Sequence, residues 1–302
     1  DAAGAQGVGD ARQTEETTEM TLALEKVEQD ILIHDLREAY MEVFPSAGIE
    51  QKLEVLEPNS YVAVTCSPTK GVDETLELSE RLIDKGFRVT PHVAAKCVRD
   101  RQHLGDIMAR LRLLGVESLF VPGGDRPEPL GDYHTAYELL RDIHDSDHNI
   151  REIGIGAHPE GHPDVADDVL MAELEKKQPL AQYIVTQMCF DADRLGNWLI
   201  EIAERGIDLP VWIGLPGAIE RGRLLRTSMR IGVGDSLRFL RKKSNVAAEL
   251  MKSSVYKPDE LIHAIAAYQA MPETNVAGYH LFCFNQVEST ENWRNEAIES
   301  LQ

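Results

Sequence analysis

From residue 20 onward, short runs rich in β-branched and aromatic residues recur along the chain, each followed by a segment of helical period. The runs are AYMEVFP (39–45), YVAVTCS (61–67), RVTPHVA (88–94), SLFVPGG (118–124), REIGIGAH (151–158), AQYIVTQMCF (181–190), PVWIGLP (210–216) and AGYHLFCFN (277–285). Segments between them, such as VDETLELSERLIDKG and RDRQHLGDIMARLRLLG, close on Gly86 and Gly115, with similar stops at Gly206 and Gly232. Glycine best tolerates the left-handed conformation that ends a helix. Eight such units in 302 residues suit a closed (β/α)₈ TIM barrel, usually of about 250 residues. An open doubly wound sheet is the second choice, but it would announce a dinucleotide site by G-x-G-x-x-G after a strand. Here Gly154-Ile155-Gly156 lies inside a strand, and Gly232-Val233-Gly234 follows a helix. The one long connection, residues 232–271, reads as two or three extra helices between strands seven and eight. The expected organisation is a mobile tail at 1–19 and a single barrel over 20–302.

Composition narrows the partners. Fifty-one Asp and Glu against 31 Lys and Arg give a net charge of −20, a surface that repels phosphate backbones; no nucleic acid is expected. No stretch approaches the roughly 20 apolar residues of a membrane-spanning helix, so no membrane is expected either. Cys66, Cys97, Cys189 and Cys283 form no C-x-x-C pair, which points to reduced thiols in a cytoplasmic protein. Residues 1–19 carry neither a basic start nor an apolar block, and no signal peptide is read there. A homo-oligomer is compatible with the composition.

In a barrel of this kind the chemistry gathers at the C-terminal ends of the strands. On the first strand Tyr40, Glu42 and Phe44 share one face, because strand side chains alternate. Glu42 thus points into the mouth among aromatic rings. Loss of water there favours a protonated carboxyl, which suits a general acid; the other reading is an ion pair with a basic residue of another strand. Thr65 and His92 face inward on strands two and three. Strand four ends in Gly123-Gly124-Asp125, where bare backbone admits a flat ligand and Asp125 stands at the rim as an acceptor; a tight turn with a capping Asp is as good a reading. Strand five runs into His158-Pro159-Glu160-Gly161-His162-Pro163, whose prolines forbid the helix that an H-x-x-x-H metal pair requires. No metal site is expected. Strand six brings Gln187 inward. Arg221, Arg223, Arg226 and Arg230, then Arg238, Arg241, Lys242 and Lys243, form a basic run, read as a solvated helix face or a holder of a phosphate or glutamate tail.

Taken in order, these strand ends resemble the methylenetetrahydrofolate reductase family over about residues 39–290. The matching motifs are Glu42-Val43-Phe44-Pro45, Val64-Thr65, Pro91-His92, Gly124-Asp125, Pro159 to Pro163, Thr186-Gln187 with Phe190-Asp191, Leu215-Pro216 and Phe284-Asn285. The resemblance implies an oxidoreductase of one-carbon metabolism that reduces 5,10-methylenetetrahydrofolate to 5-methyltetrahydrofolate with NADH or NADPH, feeding methionine biosynthesis. It implies Glu42 as the acid that protonates the folate nitrogen, and Asp125 as the carboxylate beside flavin and pterin. Gln187, with Phe190 and Leu215, is implied in substrate binding. Thr65, His92, Gly124, Asp125, His158, His162 and Lys176 fall on positions that contact FAD. Three departures weaken the flavin site. Gly123 stands where the family has Arg, the helical segment 165–178 is short by two residues, and Gly217-Ala218-Ile219-Glu220 lacks the stacking aromatic. Weakly held FAD, or hydride passed directly from nicotinamide to folate, is the expectation. The competing readings are a metal-dependent barrel hydrolase with His92, Asp125, His158 and His162 as ligands, and a folate-binding protein without catalysis.

Overall fold

The computed structural model describes residues 25–230 and 254–302. Its centre is a sheet of eight parallel strands: Tyr40–Val43 (β1), Tyr61–Val64 (β2), Arg88–Pro91 (β3), Ser118–Phe120 (β4), Glu152–Ala157 (β5), Tyr183–Thr186 (β6), Val211–Pro216 (β7) and Val276–Phe282 (β8). The order is β3-β2-β1-β8-β7-β6-β5-β4, so first and last strands pair in the middle of the ladder, Glu42 opposite Phe282. The two outer strands meet through one parallel bridge, His92 to Phe120. That bridge brings the sheet round to a nearly closed (β/α)₈ barrel.

All eight sequence runs contain a strand, and most strands end two to four residues before the run does, as β2 does at Val64 rather than Ser67. The surplus residues, a mixture of apolar side chains with Thr65, His92, Gln187 and Asn285, form the loops of the mouth. Gly86, Gly115 and Gly206 have φ of 88°, 68° and 76°, the left-handed stops that the helical segments require. The first βα unit is reduced to the one-turn helix Ile49–Lys52 and a 3₁₀ turn, Leu53–Val55, while a helix, Lys26–Arg37, precedes β1. Between β7 and β8 lie the helices Arg221–Arg230 and Asp259–Gln269 and a small antiparallel pair, Ile219–Glu220 with Val255–Tyr256. The remainder of the expected insertion, the stop at Gly232, the basic residues Arg238, Arg241, Lys242 and Lys243, and the tail 1–19 lie outside the described residues.

Alternation along the strands divides two layers of packing. Met41, Val43, Val62 and Val64 face the helix residues Leu78 and Leu82, and Ile213 and Leu215 lie in the large core formed with Leu195 and Leu199. Inside the barrel, Tyr40 packs against Tyr61 and Trp212, both at 4.8 Å between ring centroids, and Tyr183 donates to the Leu119 carbonyl at 3.2 Å. These rings fill the lower barrel, so the polar inward residues one step further along each strand are left at the mouth. No helix among the described residues is long and apolar enough to cross a membrane.

Candidate active site

Above the aromatic layer, Glu42 of β1 meets His280 of β8. Glu42 Oε2 and His280 Nε2 are 2.9 Å apart, with side chains 14% and 3% exposed. His280 sits over Tyr40 at 5.9 Å and beside Phe282 at 5.2 Å, and the His92 ring is 6.1 Å away, tilted by 30°. His92 packs on Phe120 at 4.7 Å, where the barrel closes. Burial holds the His92 imidazole well below its usual proton affinity, and the neighbouring His280 adds to the effect. Its Nε2 is buried without a hydrogen-bond partner. The inward Glu42 therefore has an imidazole partner from another strand. That partner was legible: with period two, Gly278, His280 and Phe282 share a face of AGYHLFCFN, yet the strand drew attention only through Phe284-Asn285.

The loops over this centre are fastened to each other. Asn285 Oδ1 accepts from the Phe44 N–H at 3.0 Å, and its Nδ2 donates to the Phe44 carbonyl and to Ser46 Oγ, each at 2.9 Å. Phe284 and Asn285 take left-handed φ values of 47° and 60° to present that amide. On the opposite side Glu160 Oε1 accepts from the N–H groups of Phe190 and Asp191 at 2.5 and 2.7 Å, tying the loop after β5 to the loop after β6. Asp191 in turn caps the helix Ala192–Glu204. Neither Asn285 as a clamp nor Glu160 as a loop tie was singled out from the sequence.

The remaining sequence candidates scatter around the rim. Thr65 is half-buried at the end of β2, its carbonyl accepting from Thr75 at 3.0 Å. Gly124 takes a φ of 92° and packs so closely that an added Cβ would lie 2.9 Å from that of Ala94, while Asp125 is exposed beyond it. Gln187 is half-buried, its Oε1 accepting from the Met188 N–H at 2.8 Å. Phe190 is buried with Met188, Ile219 and Leu224, its ring 6.4 Å from Tyr256. Leu215 is fully buried on the side of β7 opposite Trp212, against the helices. His158 and His162 meet edge to face at 5.3 Å. Burial, and then the charges of His162 and Lys177, bring His158 down to about 4. Lys176 stands over the Tyr137 ring at 4.1 Å and pairs with Glu173 at 3.4 Å, whereas Lys177 is half-buried and donates to the Gly156 carbonyl at 3.1 Å. The four residues considered together as hydrolase ligands do not converge. The trio that does is Glu42, His92 and His280.

A dinucleotide would need donors for its diphosphate and open backbone for its rings. Beside the end of β5 lies a cleft of about 420 Å³ whose lining includes Gly156, His158, Lys177, Arg194 and Arg205. An added Cβ at Gly123 would meet nothing within 4 Å. The donors fit such a group. Asp167, Asp168, Glu173 and Glu201 line the same cleft and oppose its charge.

A carboxylate–imidazole pair in the mouth of a parallel barrel can give a proton to, or take one from, a small molecule seated there. Residues 48–220, more than half of the chain, match the family model for methylenetetrahydrofolate reductase, and the chain belongs to that family. Glu42 and His280 flank the matched span. The chain is also similar to methylenetetrahydrofolate reductase 2 of Saccharomyces cerevisiae, 27% identical over 112 residues, covering 33% of this chain and 19% of the yeast protein. It thus spans under a fifth of that relative's length. Two solved structures from Burkholderia cenocepacia J2315, a candidate phosphonomutase and a candidate lyase/mutase, share 13% and 14% identity, cover 75% and 82% of this chain and 100% and 99% of their own, and have TM-scores of 0.41 and 0.42.

Proposed function

We propose that the protein reduces 5,10-methylenetetrahydrofolate to 5-methyltetrahydrofolate at the expense of NADH or NADPH. The observation that carries the reading is the Glu42–His280 pair, at 2.9 Å inside an aromatic barrel mouth. Opening the five-membered folate ring needs one proton on the nitrogen that leaves the methylene carbon, and the resulting iminium accepts a hydride. Glu42 gives that proton, which leaves on the product nitrogen, and His280, hydrogen-bonded to the same carboxyl, passes a fresh proton from water back to it. Asp125 and Gln187 take the amino and amide edge of the pterin, with Phe190 closing the apolar side.

FAD, when bound, supplies a hydride carrier between nicotinamide and folate. Thr65, His92, Gly124 and His162 would border its ring system, and Lys177 and Arg194 would face the diphosphate. The four carboxylates in that cleft support low affinity, and with it a route in which nicotinamide delivers hydride to the folate directly.

The test is an anaerobic assay of nicotinamide oxidation with methylenetetrahydrofolate, with and without FAD, in which products are identified by mass. Methyltetrahydrofolate formed in proportion to nicotinamide consumed is expected. Its absence in both arms would end the reductase reading. Equilibrium dialysis against FAD reads the second point: half-saturation well above a micromolar level is expected, and submicromolar saturation with flavin-dependent turnover would exclude the flavin-independent route.

A further inference from the structure

Glu42, His92 and His280 stand at the ends of three different strands, yet their ligand atoms, one carboxylate oxygen and two ring nitrogens, all lie within 4.8 Å of one another. Among the described residues no other three His, Cys, Asp or Glu side chains converge so closely. His92 and His280 are 5% and 3% exposed, and the buried His92 Nε2 has no hydrogen-bond partner. We propose that this trio is a binding site for one divalent transition-metal ion of the zinc class, and that metal occupancy and proton donation by Glu42 exclude each other.

Two imidazoles and a carboxylate with one open side form a common three-ligand zinc set. Metal–ligand bonds of about 2.0–2.2 Å put ligand atoms about 3.3 Å apart in a tetrahedral site. The 2.9 Å between Glu42 and His280 already matches that spacing. The longest separation in the trio, at most 4.8 Å, closes to it by a shift of about 1.5 Å, within the reach of small ring and carboxyl rotations. The two nitrogen ligands disfavour Ca²⁺ and Mg²⁺, which prefer larger sets of oxygens. The open side faces the mouth, where water completes the coordination. A metal bonded to the Glu42 oxygen takes the lone pair that would otherwise carry the proton. The binding half of the proposal stands on geometry alone, and the exclusion half rests on the reductase reading.

The full chain, stripped with EDTA and desalted, is titrated with Co²⁺ and then Zn²⁺. One ion per chain is expected, with micromolar or tighter affinity and visible Co²⁺ bands that Zn²⁺ removes. Glu42→Gln, His92→Gln and His280→Gln, each shown to be folded by its thermal melt, should bind at least ten-fold more weakly, and His162→Gln should bind as the parent does. No saturable binding below about 1 mM, binding that survives in both His92→Gln and His280→Gln, or binding lost in His162→Gln would overturn the site. In the activity arm, turnover of the stripped and desalted protein should fall in step with Zn²⁺ occupancy and return when EDTA is added. Turnover that continues with the trio metal-loaded refutes the exclusion, whereas trio-dependent binding without turnover even in EDTA keeps the site and removes the reductase reading.

Discussion

Two imidazoles held away from water, those of His92 and His158, make the protein's folding sensitive to acid. His92 and His158 both bind protons less readily when folded, the first mainly through burial, the second brought to about 4 by burial, His162 and Lys177. An imidazole in the unfolded chain titrates near 6.5. A depressed native value means that the unfolded state takes up more protons as pH falls, so stability is full above about 6.5 and declines from there toward about 4. Thermal melts of the parent should therefore drop between pH 7 and pH 5, and drop less in His92→Gln and His158→Gln. An equal drop in all three proteins would show that neither ring carries the linkage. At the rim, Asp125→Ala and Gln187→Ala should each weaken folate binding by about 1–3 kcal/mol, the range for a polar partner left unmet, as read by direct titration. Unchanged affinity in both would place the pterin elsewhere. Glu42 and His92 were legible as inward polar residues because a strand's period is two. His280 obeys the same rule, and barrel closure puts its strand beside β1, but the strand is otherwise apolar and aromatic and drew attention only through Phe284-Asn285. The register, with Glu42 opposite Phe282 across first and last strands, sets His280 at the acid's side.

Strands and helices were located by periodicity, and the errors were errors of length. The run 181–190 reads as one long strand, yet the ladder stops at Thr186 and the rest turns over the mouth, held by Glu160. Apolar residues there signal burial, and burial is shared by strand and loop, so hydrophobicity alone could not mark the boundary. Lys176 and Lys177 show the same limit on a helix: neighbours in sequence point about 100° apart, and the residue turned inward is Lys177. Close strand packing makes a sharper prediction. An added Cβ at Gly214 would lie 2.4 Å from the Thr186 carbonyl oxygen and 2.9 Å from that of Gln187. Backbone must move, so Gly214→Ala should cost about 1–3 kcal/mol, the usual scale of overpacking. Gly123→Ala, with nothing within 4 Å, should stay within about 0.5 kcal/mol of the parent. Denaturant melts decide it, and equal stability of the two variants would contradict the packing account.

Across the whole molecule the barrel was readable because eight βα units in order leave few topologies open, and the strand-end motifs named the family before any tertiary contact was known. What could not be read was convergence, which depends on register around the ring. Asp125, His158 and His162 share the mouth with Glu42 without joining it, and the buried pair is made by residues 238 positions apart in sequence. The central claim is that this pair delivers the proton that opens the folate ring. Its most direct measurement is single-turnover reduction of methylenetetrahydrofolate by Glu42→Gln beside the parent, with folate affinity determined on the same samples. The account predicts folate binding close to the parent's and a rate lower by at least about two orders of magnitude, the usual contribution of a general acid. A Glu42→Gln rate near the parent's would contradict it.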